Sequence, residues 1–487
     1  MINMLQIKDS QKLFEFKTYF EEPTRAFSAL ISILGVFSCK SVIKGIFSHK
    51  SKGYSCTSLL EMLILMPFLG AKNINNLFST YYHVFYKGKK DALYDTLRDS
   101  NTNWRRLLLN SGKRFIKKVN EFNLKTTKTF FIADDTDMEK STPLFERLSR
   151  VFNHVTRKHI YAYKALVLGY GDGTSFTPLD FSLHNEKGAK KNYGLTPKQR
   201  REQYKKERKA SSHGAKRIKE MRIKKGKNLI AMVKRAVKHG IVADYLLTDS
   251  WFLCESMIIE IRKIKKGAIH IISMCRMDKR NYLYNDKEFN AKDLRKLKKM
   301  SVKRSKKYKV YYICVDVEYK GHQVKLFFTR LTKRSKWRLL VTTDTKLGFT
   351  EAFEAYSNRW IIEVFFKECK QNLGLGKNQS RDFDSQIAST TICFFQYIIL
   401  SLYKRCEKYE TIGGVFQDCK SGITEQILSE RIKALLLELI KTLVIILKLD
   451  INIGETISLI IDKIEIDSKI ELVFSTHYDI GGRKLVA

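Results

Sequence analysis

The spacing of apolar residues changes three times along the chain. Up to about residue 115 the runs FSALISILGVF, SLLEMLILMPFLG and NNLFSTYYHVFY, broken at Gly53, Gly70 and Gly88, predict helices. Residues 95–109 add an amphipathic segment with Arg98, Arg105 and Arg106. The character then turns to mixed α/β. KTFFIADDTD (128–137) predicts a short buried strand ending in carboxylates, and YKALVLGYGDGTSFTPLDFSL (163–183) predicts a hairpin about its Gly-rich turn. NLIAMVKRAVKHG (228–240) has the spacing of a helix closed by Gly240, and ADYLLTDSWF (243–252) that of a second buried strand ending in an Asp. A helix over 254–266 and a strand over 267–277 follow. Residues 278–345 alternate at period two, as antiparallel strands do. Helix returns over 349–372 and roughly 384–449, and KIEIDSKIELVF (463–474) alternates again. Strands interleaved with helices imply a sheet covered by helices.

One stretch carries more than a fold. In YSNRWIIEVFFKECK (356–370), Tyr356, Arg359, Glu363, Lys367 and Lys370 fall within an arc of roughly 80° on a helix. Ile361, Ile362, Val364, Phe365, Phe366 and Cys369 cover the other sides, so the pattern predicts a helix buried over most of its girth with one polar stripe. A solvated face is the plain alternative, because Arg359–Glu363 and Glu363–Lys367 are both i,i+4 pairs.

Charge changes the picture most. Ninety Lys and Arg against 50 Asp and Glu give a formal net charge of +40, which implies a polyanionic partner, nucleic acid above all. The cations are spread over many segments, unlike a membrane-binding amphipathic helix. The densest basic run, 186–227, holds 17 Lys or Arg against four Glu and reads as a mobile loop, a helix along phosphate or a merely solvated helix face. Nine Cys without a CxxC pair point to buried thiols in a reducing compartment, not to disulfides or a zinc site. The start carries no signal-peptide pattern, and the apolar run at 434–449 is interrupted by Glu438, Lys441 and Lys448. These features predict a cytoplasmic protein with no membrane segment.

Three carboxylates then stand out by position. Asp135 and Asp249 are each expected to close a buried strand, and Glu363 lies on the polar stripe. Phosphodiester hydrolysis or transfer favours two divalent cations about 3.5–4 Å apart, which sharpen an oxygen nucleophile and stabilise the leaving oxygen. Mg²⁺, or Mn²⁺ in its place, takes carboxylate and phosphate oxygens.

With these residues in view, the chain resembles the insertion-sequence-four family of DDE transposases, the group that includes the Tn-five transposase. YSNRWIIEVFFKECK matches the family signature Y-(2)-R-(3)-E-(6)-K at all four positions, IADDTD resembles the first-Asp strand, and LLTDSWF resembles the second. The likeness covers roughly residues 128–385. It implies a ribonuclease-H-like core with Asp135 (the Asp directly before Thr, chosen over Asp134), Asp249 and Glu363 as catalytic metal ligands for two Mg²⁺ or Mn²⁺ ions. It further implies that Tyr356, Arg359 and Lys370 contact DNA phosphates, with Lys367 on the same stripe expected to do the same. Trp337 resembles an insertion-domain Trp that stacks on a base flipped from the duplex; packing within its own strands is the other reading. DSWF lacks the charged pair seen after the second Asp in some members.

The expected architecture is α/β: a helical DNA-binding domain (1–115), a ribonuclease-H-like core (116–277), a mostly antiparallel β insertion (278–345), the Glu-bearing helix of the core (346–385) and a largely helical C-terminal region (386–487), a candidate for oligomerisation. The expected function is a DNA transposase that binds terminal inverted repeats of double-stranded DNA, cuts at the element ends and joins them to target DNA, acting as a homodimer in the synapse. A non-catalytic DNA-binding relic and a structure-specific nuclease are the alternatives.

Overall fold

The computed structural model describes residues 45–50, 52–80, 88–122, 128–406 and 409–421. The apolar runs at 27–37 and 434–449, the end of the run at 75–86 and the alternation at 463–474 lie outside these residues.

Among the described residues four helices come first: α1 (Cys56–Leu65), α2 (Ile74–Thr80), α3 (Lys90–Arg98) and α4 (Trp104–Phe122). The segment at 95–109 is therefore not one helix. It is split at 99–103, where Asp99 accepts the Asn101 N–H, drawing it away from a helical ladder, and also the Thr102 hydroxyl. Next come β1 (Phe130–Glu139), β2 (Ser149–Asn153), β3 (Lys158–Gly171) and β4 (Phe176–His184). Helices α5 (Pro197–Glu202), α6 (His213–Met221) and α7 (Lys225–Lys238) follow, then β5 (Tyr245–Thr248), α8 (Glu255–Arg262) and β6 (His270–Cys275). The stretch after β6 holds β7 (Asn281–Tyr284), β8 (Lys287–Asn290), α9 (Ala291–Leu297), β9 (Lys303–Arg304), β10 (Tyr311–Tyr319), β11 (His322–Arg330) and β12 (Arg338–Thr342). The helices α10 (Phe349–Ser357), α11 (Trp360–Gln371) and α12 (Phe383–Cys406) complete the order.

Among the described residues all the strands belong to one mixed, mostly antiparallel sheet, ordered β2-β3-β1-β5-β6-β12-β11-β10-β7-β8, with β4 paired to β3 and β9 to β10. Among these pairings only β1–β5 and β5–β6 are parallel. The period-two region does not form a sheet of its own, because β12 pairs antiparallel with β6 and carries the sheet onward. The β3–β4 hairpin forms as expected: Asp172 accepts the N–H groups of Thr174 and Ser175 at 2.9 and 2.7 Å, and Gly173 takes φ +85.

Alternation along the strands sends side chains into two cores. Phe130 and Ile132 of β1 enter the core under α4, α11 and α12, here called the front face. Phe131 and Ala133 enter the core under α7 and α8, the back face. The helix α12 is long and apolar enough to cross a membrane by composition, but its apolar window is 94% buried within the fold. Its Phe394 and Tyr397 pack at 5.0 and 4.7 Å from Phe365 of α11, whose ring also lies 4.8 Å from Phe176. Phe176 reaches that position by lying across Gly169, where any Cβ would stand 2.2 Å from its ring. This aromatic cluster fixes how α11 sits on β1.

The basic run 186–227 is partly helical: it holds α5, capped by the Thr196 side chain, and α6, capped by Ser212, with loops before and between them, and leads into α7. Several of its cations are buried or half-buried. The Arg208 guanidinium donates to both Glu146 oxygens at 2.7 and 2.6 Å and to Asp384 at 2.8 Å, while Lys206 meets Asp382 and Asp384 at 3.0 and 2.9 Å. Arg217 lies with Arg105 and Arg235 around Asp180 and Glu220. Burial alone would raise the Asp180 pKa, but the three guanidiniums outweigh it and hold the carboxyl down at about 2.

Candidate active site

The polar stripe does not lie on one continuous helix. Asn358 donates its amide to the carbonyls of Glu354 and Ala355, at 3.0 and 3.3 Å, and so competes with the backbone N–H groups that would continue α10. The chain tightens into i→i+3 bonds (Arg359 to Tyr356, Ile361 to Asn358, Ile362 to Arg359) before α11 begins. Nor is α11 buried over most of its girth. Ile362, Phe365, Phe366 and Cys369 face the core, whereas Trp360 and Val364 are 63% and 40% exposed.

On the front face, β1 meets the start of α11. Arg359 donates through Nη1 to Asp134 Oδ2 at 2.8 Å and through Nη2 to Glu363 Oε1. One guanidinium thus spans two carboxylates from two elements. Lower along β1, Lys370 Nζ donates to Thr136 Oγ1 at 2.7 Å, and burial pulls the Lys370 pKa down. Asp249 follows directly after β5 on the parity of Leu247, which enters the same front core. Burial raises the Asp134 pKa to about 6 against the pull of the Asp135 N–H and Arg359, and the charges of Asp135 and Asp249 add to the rise. Tyr356 is pushed up to about 12, chiefly by burial, with the Asp249 charge acting in the same direction. Asp134, Asp249, Tyr356, Arg359 and Glu363 therefore share one electrostatic neighbourhood.

Asp135 does not close its strand, because β1 runs on to Glu139. The parallel pairing with β5 stops at Ile132–Leu247, so both Asp134 and Asp135 lie beyond the shared stretch. Alternation then sends Asp135 to the back face, where its carboxylate pairs with Lys225 at the first turn of α7. The ammonium there sits at the unfavourable, positive end of a helix, and the carboxylate compensates it.

Of the other expected residues, Lys367 is exposed. Trp337 is partly buried, packed on the back core with the Arg330 guanidinium 4.4 Å and that of Arg295 5.7 Å from its ring. A cavity of about 810 Å³ joins Trp337 to the front-face site, lined by Asp249, Arg276, Arg338, Tyr356 and Arg359. Sequence reasoning passed over Asp134 and did not single out Lys225, Arg276, Trp251 or Trp360. The nearness of Trp251 to Asp249 and of Trp360 to Arg359 was a readable signal.

Among the described residues, no three Asp, Glu, His or Cys side chains stand close enough together to hold a metal ion as placed. The donor set nonetheless suits one. Asp134, Asp249 and Glu363 offer only hard carboxylate oxygens, and two of them already share a cation in the form of Arg359.

Behind β1, His184 accepts from Asn228 Nδ2 at 3.3 Å and lies 2.8 Å from Ser182 Oγ. Burial first, then the Lys225 charge, lowers its pKa to about 4. Below the unfolded value of about 6.5 the unfolded chain takes a proton that the fold refuses. His184 therefore withdraws stability as pH falls from about 6.5 to about 4, by up to about 3 kcal/mol. Denaturant midpoints across that range should fall more steeply for the wild type than for His184→Gln. Parallel curves would show that His184 titrates alike in both states.

Among curated proteins, none matches this sequence. A family profile does, under the description "Transposase DDE domain", over residues 125–399. That span runs from just before β1 into α12 and takes in the whole front-face site. It covers more than half of the chain, which therefore belongs to the family of transposase DDE domains.

Proposed function

We propose that this chain is a DNA transposase of the insertion-sequence-four type, with a ribonuclease-H-like core, that binds the terminal inverted repeats of its element, cuts at their ends and joins the freed 3′-hydroxyls to target DNA. The observation that carries this reading is the pair of carboxylates, Asp134 and Glu363, held by one guanidinium with Asp249 beside them, in a chain of net charge +40. Asp134, Asp249 and Glu363 would hold Mg²⁺ or Mn²⁺, which supplies Lewis-acid activation and charge stabilisation at a phosphodiester. Asp134 takes the place that the sequence assigned to Asp135, because it shares a face with Glu363.

Arg359 has two acidic partners, Asp134 and Glu363. A phosphate at the site would compete for the guanidinium and leave the carboxylates open to metal, so DNA binding and metal binding would support one another. Tyr356, Lys367 and Lys370 flank the same surface as further phosphate contacts, and Trp337 lies at the far end of the cavity, where an extruded base would stack.

Arg359→Ala should weaken binding to the repeat ends and lower the slope of log affinity against log salt by about one. A slope equal to the wild type's would remove Arg359 from the phosphate contacts. Strand-transfer assays with the element's own flanking repeats test the function itself. Joined products mark a transposase, cuts without joining mark a structure-specific nuclease, and tight binding without cuts under either metal marks a DNA-binding relic. The homodimer and cytoplasmic location belong to the same proposal.

A further inference from the structure

The four Trp residues divide sharply. Trp104 is buried against Phe47, and Trp337 is partly buried. Trp251 and Trp360 are 71% and 63% exposed, and both flank the carboxylate site: Trp251 stands two residues after Asp249, and Trp360 directly follows Arg359. Trp251 has a further feature. The Arg276 guanidinium lies 4.2 Å from its ring centroid, close enough for a cation–π contact. Arg276 is itself exposed and lines the same cavity as Asp249 and Trp337. An exposed indole thus stands against a guanidinium that lines this cavity.

We propose that Trp251 and Arg276 form a base-stacking site for an unpaired nucleotide next to the scissile phosphate, separate from any base held at Trp337. The indole offers a sequence-tolerant π-face, and the guanidinium offers a partner for the nucleotide's phosphate. The proposal rests on the DNA-transposase reading. Trp251 acts on the substrate strand as a positioning residue, while the chemistry belongs to the carboxylates.

The test uses the full chain, in EDTA, with duplexes bearing the element's flanking repeat and a single-stranded extension at the repeat end. A 2-aminopurine is placed in turn at each position around that end. Stacking of one base is worth about a 5- to 150-fold change in affinity. Trp251→Ala should lose affinity in that range and brighten the 2-aminopurine at one position, while Trp251→Phe keeps most of both signals. Unchanged affinity and unchanged fluorescence at every position in Trp251→Ala would overturn the proposal. So would loss of the subunit pair with fluorescence unchanged, which would make Trp251 a contact between copies of the chain. If the wild type binds its repeats no better than unrelated DNA, the transposase reading itself fails. If it binds them in EDTA and cuts them once Mg²⁺ is supplied, and Trp251→Ala matches it in affinity and fluorescence, only the stacking site fails.

Discussion

Asp134→Ala should lower metal-dependent cleavage of the element ends by about a thousand-fold or more, and Glu363→Ala should do the same, with end binding largely kept in both. A divalent ion supplies several kcal/mol of transition-state charge stabilisation, and each 1.36 kcal/mol is a factor of ten in rate. Removing one of three acidic ligands forfeits most of that. Asp135→Ala should behave differently. Its carboxylate faces away from Glu363 and neutralises Lys225 at the start of α7, so its loss should cost stability of that corner more than cleavage chemistry. Single-turnover rates under Mg²⁺ for the three variants decide the matter. A silent Asp134→Ala beside a dead Asp135→Ala would return the role to Asp135.

Arg208→Ala should destabilise the fold by about 3–5 kcal/mol, the cost of leaving buried charges without their partner. Arg208 and Glu146 are 3% and 5% exposed, and Asp382 and Asp384 are each 3% exposed. Without the guanidinium, Glu146 loses both of its charged bonds, and only Lys206 remains to face Asp382 and Asp384. The cluster ties the link between β1 and β2, the segment before α6 and the start of α12 into one joint. Phe383, the first residue of α12, donates its N–H to Glu146 as well. Denaturant unfolding of the variant should show a much lower midpoint, and because α12 packs on α11 through Phe365, cleavage should fall with it. A midpoint within about 0.5 kcal/mol of the wild type, the usual range for a surface change, would mean that the cluster is not the joint described.

The elements were largely legible in the sequence because period and turn chemistry are local. The GYGDG hairpin, the helix stopped at Gly240 and the strand before Asp249 all follow from residues within a few positions of each other. What escaped was decided at long range. Period two alone places Asp134 and Asp135 on opposite faces, but the face that receives α11 is set by Phe365 packing against Phe176, Phe394 and Tyr397, and no local pattern carries that. The stripe of five polar residues was read as one helix because nothing in its spacing registers Asn358 taking the carbonyls of Glu354 and Ala355. The ion pairs made by the basic run 186–227 escape a sequence reading because its acidic partners Glu146, Asp180, Asp382 and Asp384 lie outside it in sequence. Charge counts cannot tell a free cation from one already paired. The family domain was legible at its coarsest level, since the transposase DDE domain matches residues 125–399.

The most direct test of the central claim is cleavage of a DNA fragment that carries the element's own flanking repeats, run with Mg²⁺, with Mn²⁺ and with EDTA. Cuts are expected at the repeat ends under either metal, none in EDTA, and none with Glu363→Ala under Mg²⁺. Cuts that persist in EDTA or in Glu363→Ala would contradict that claim.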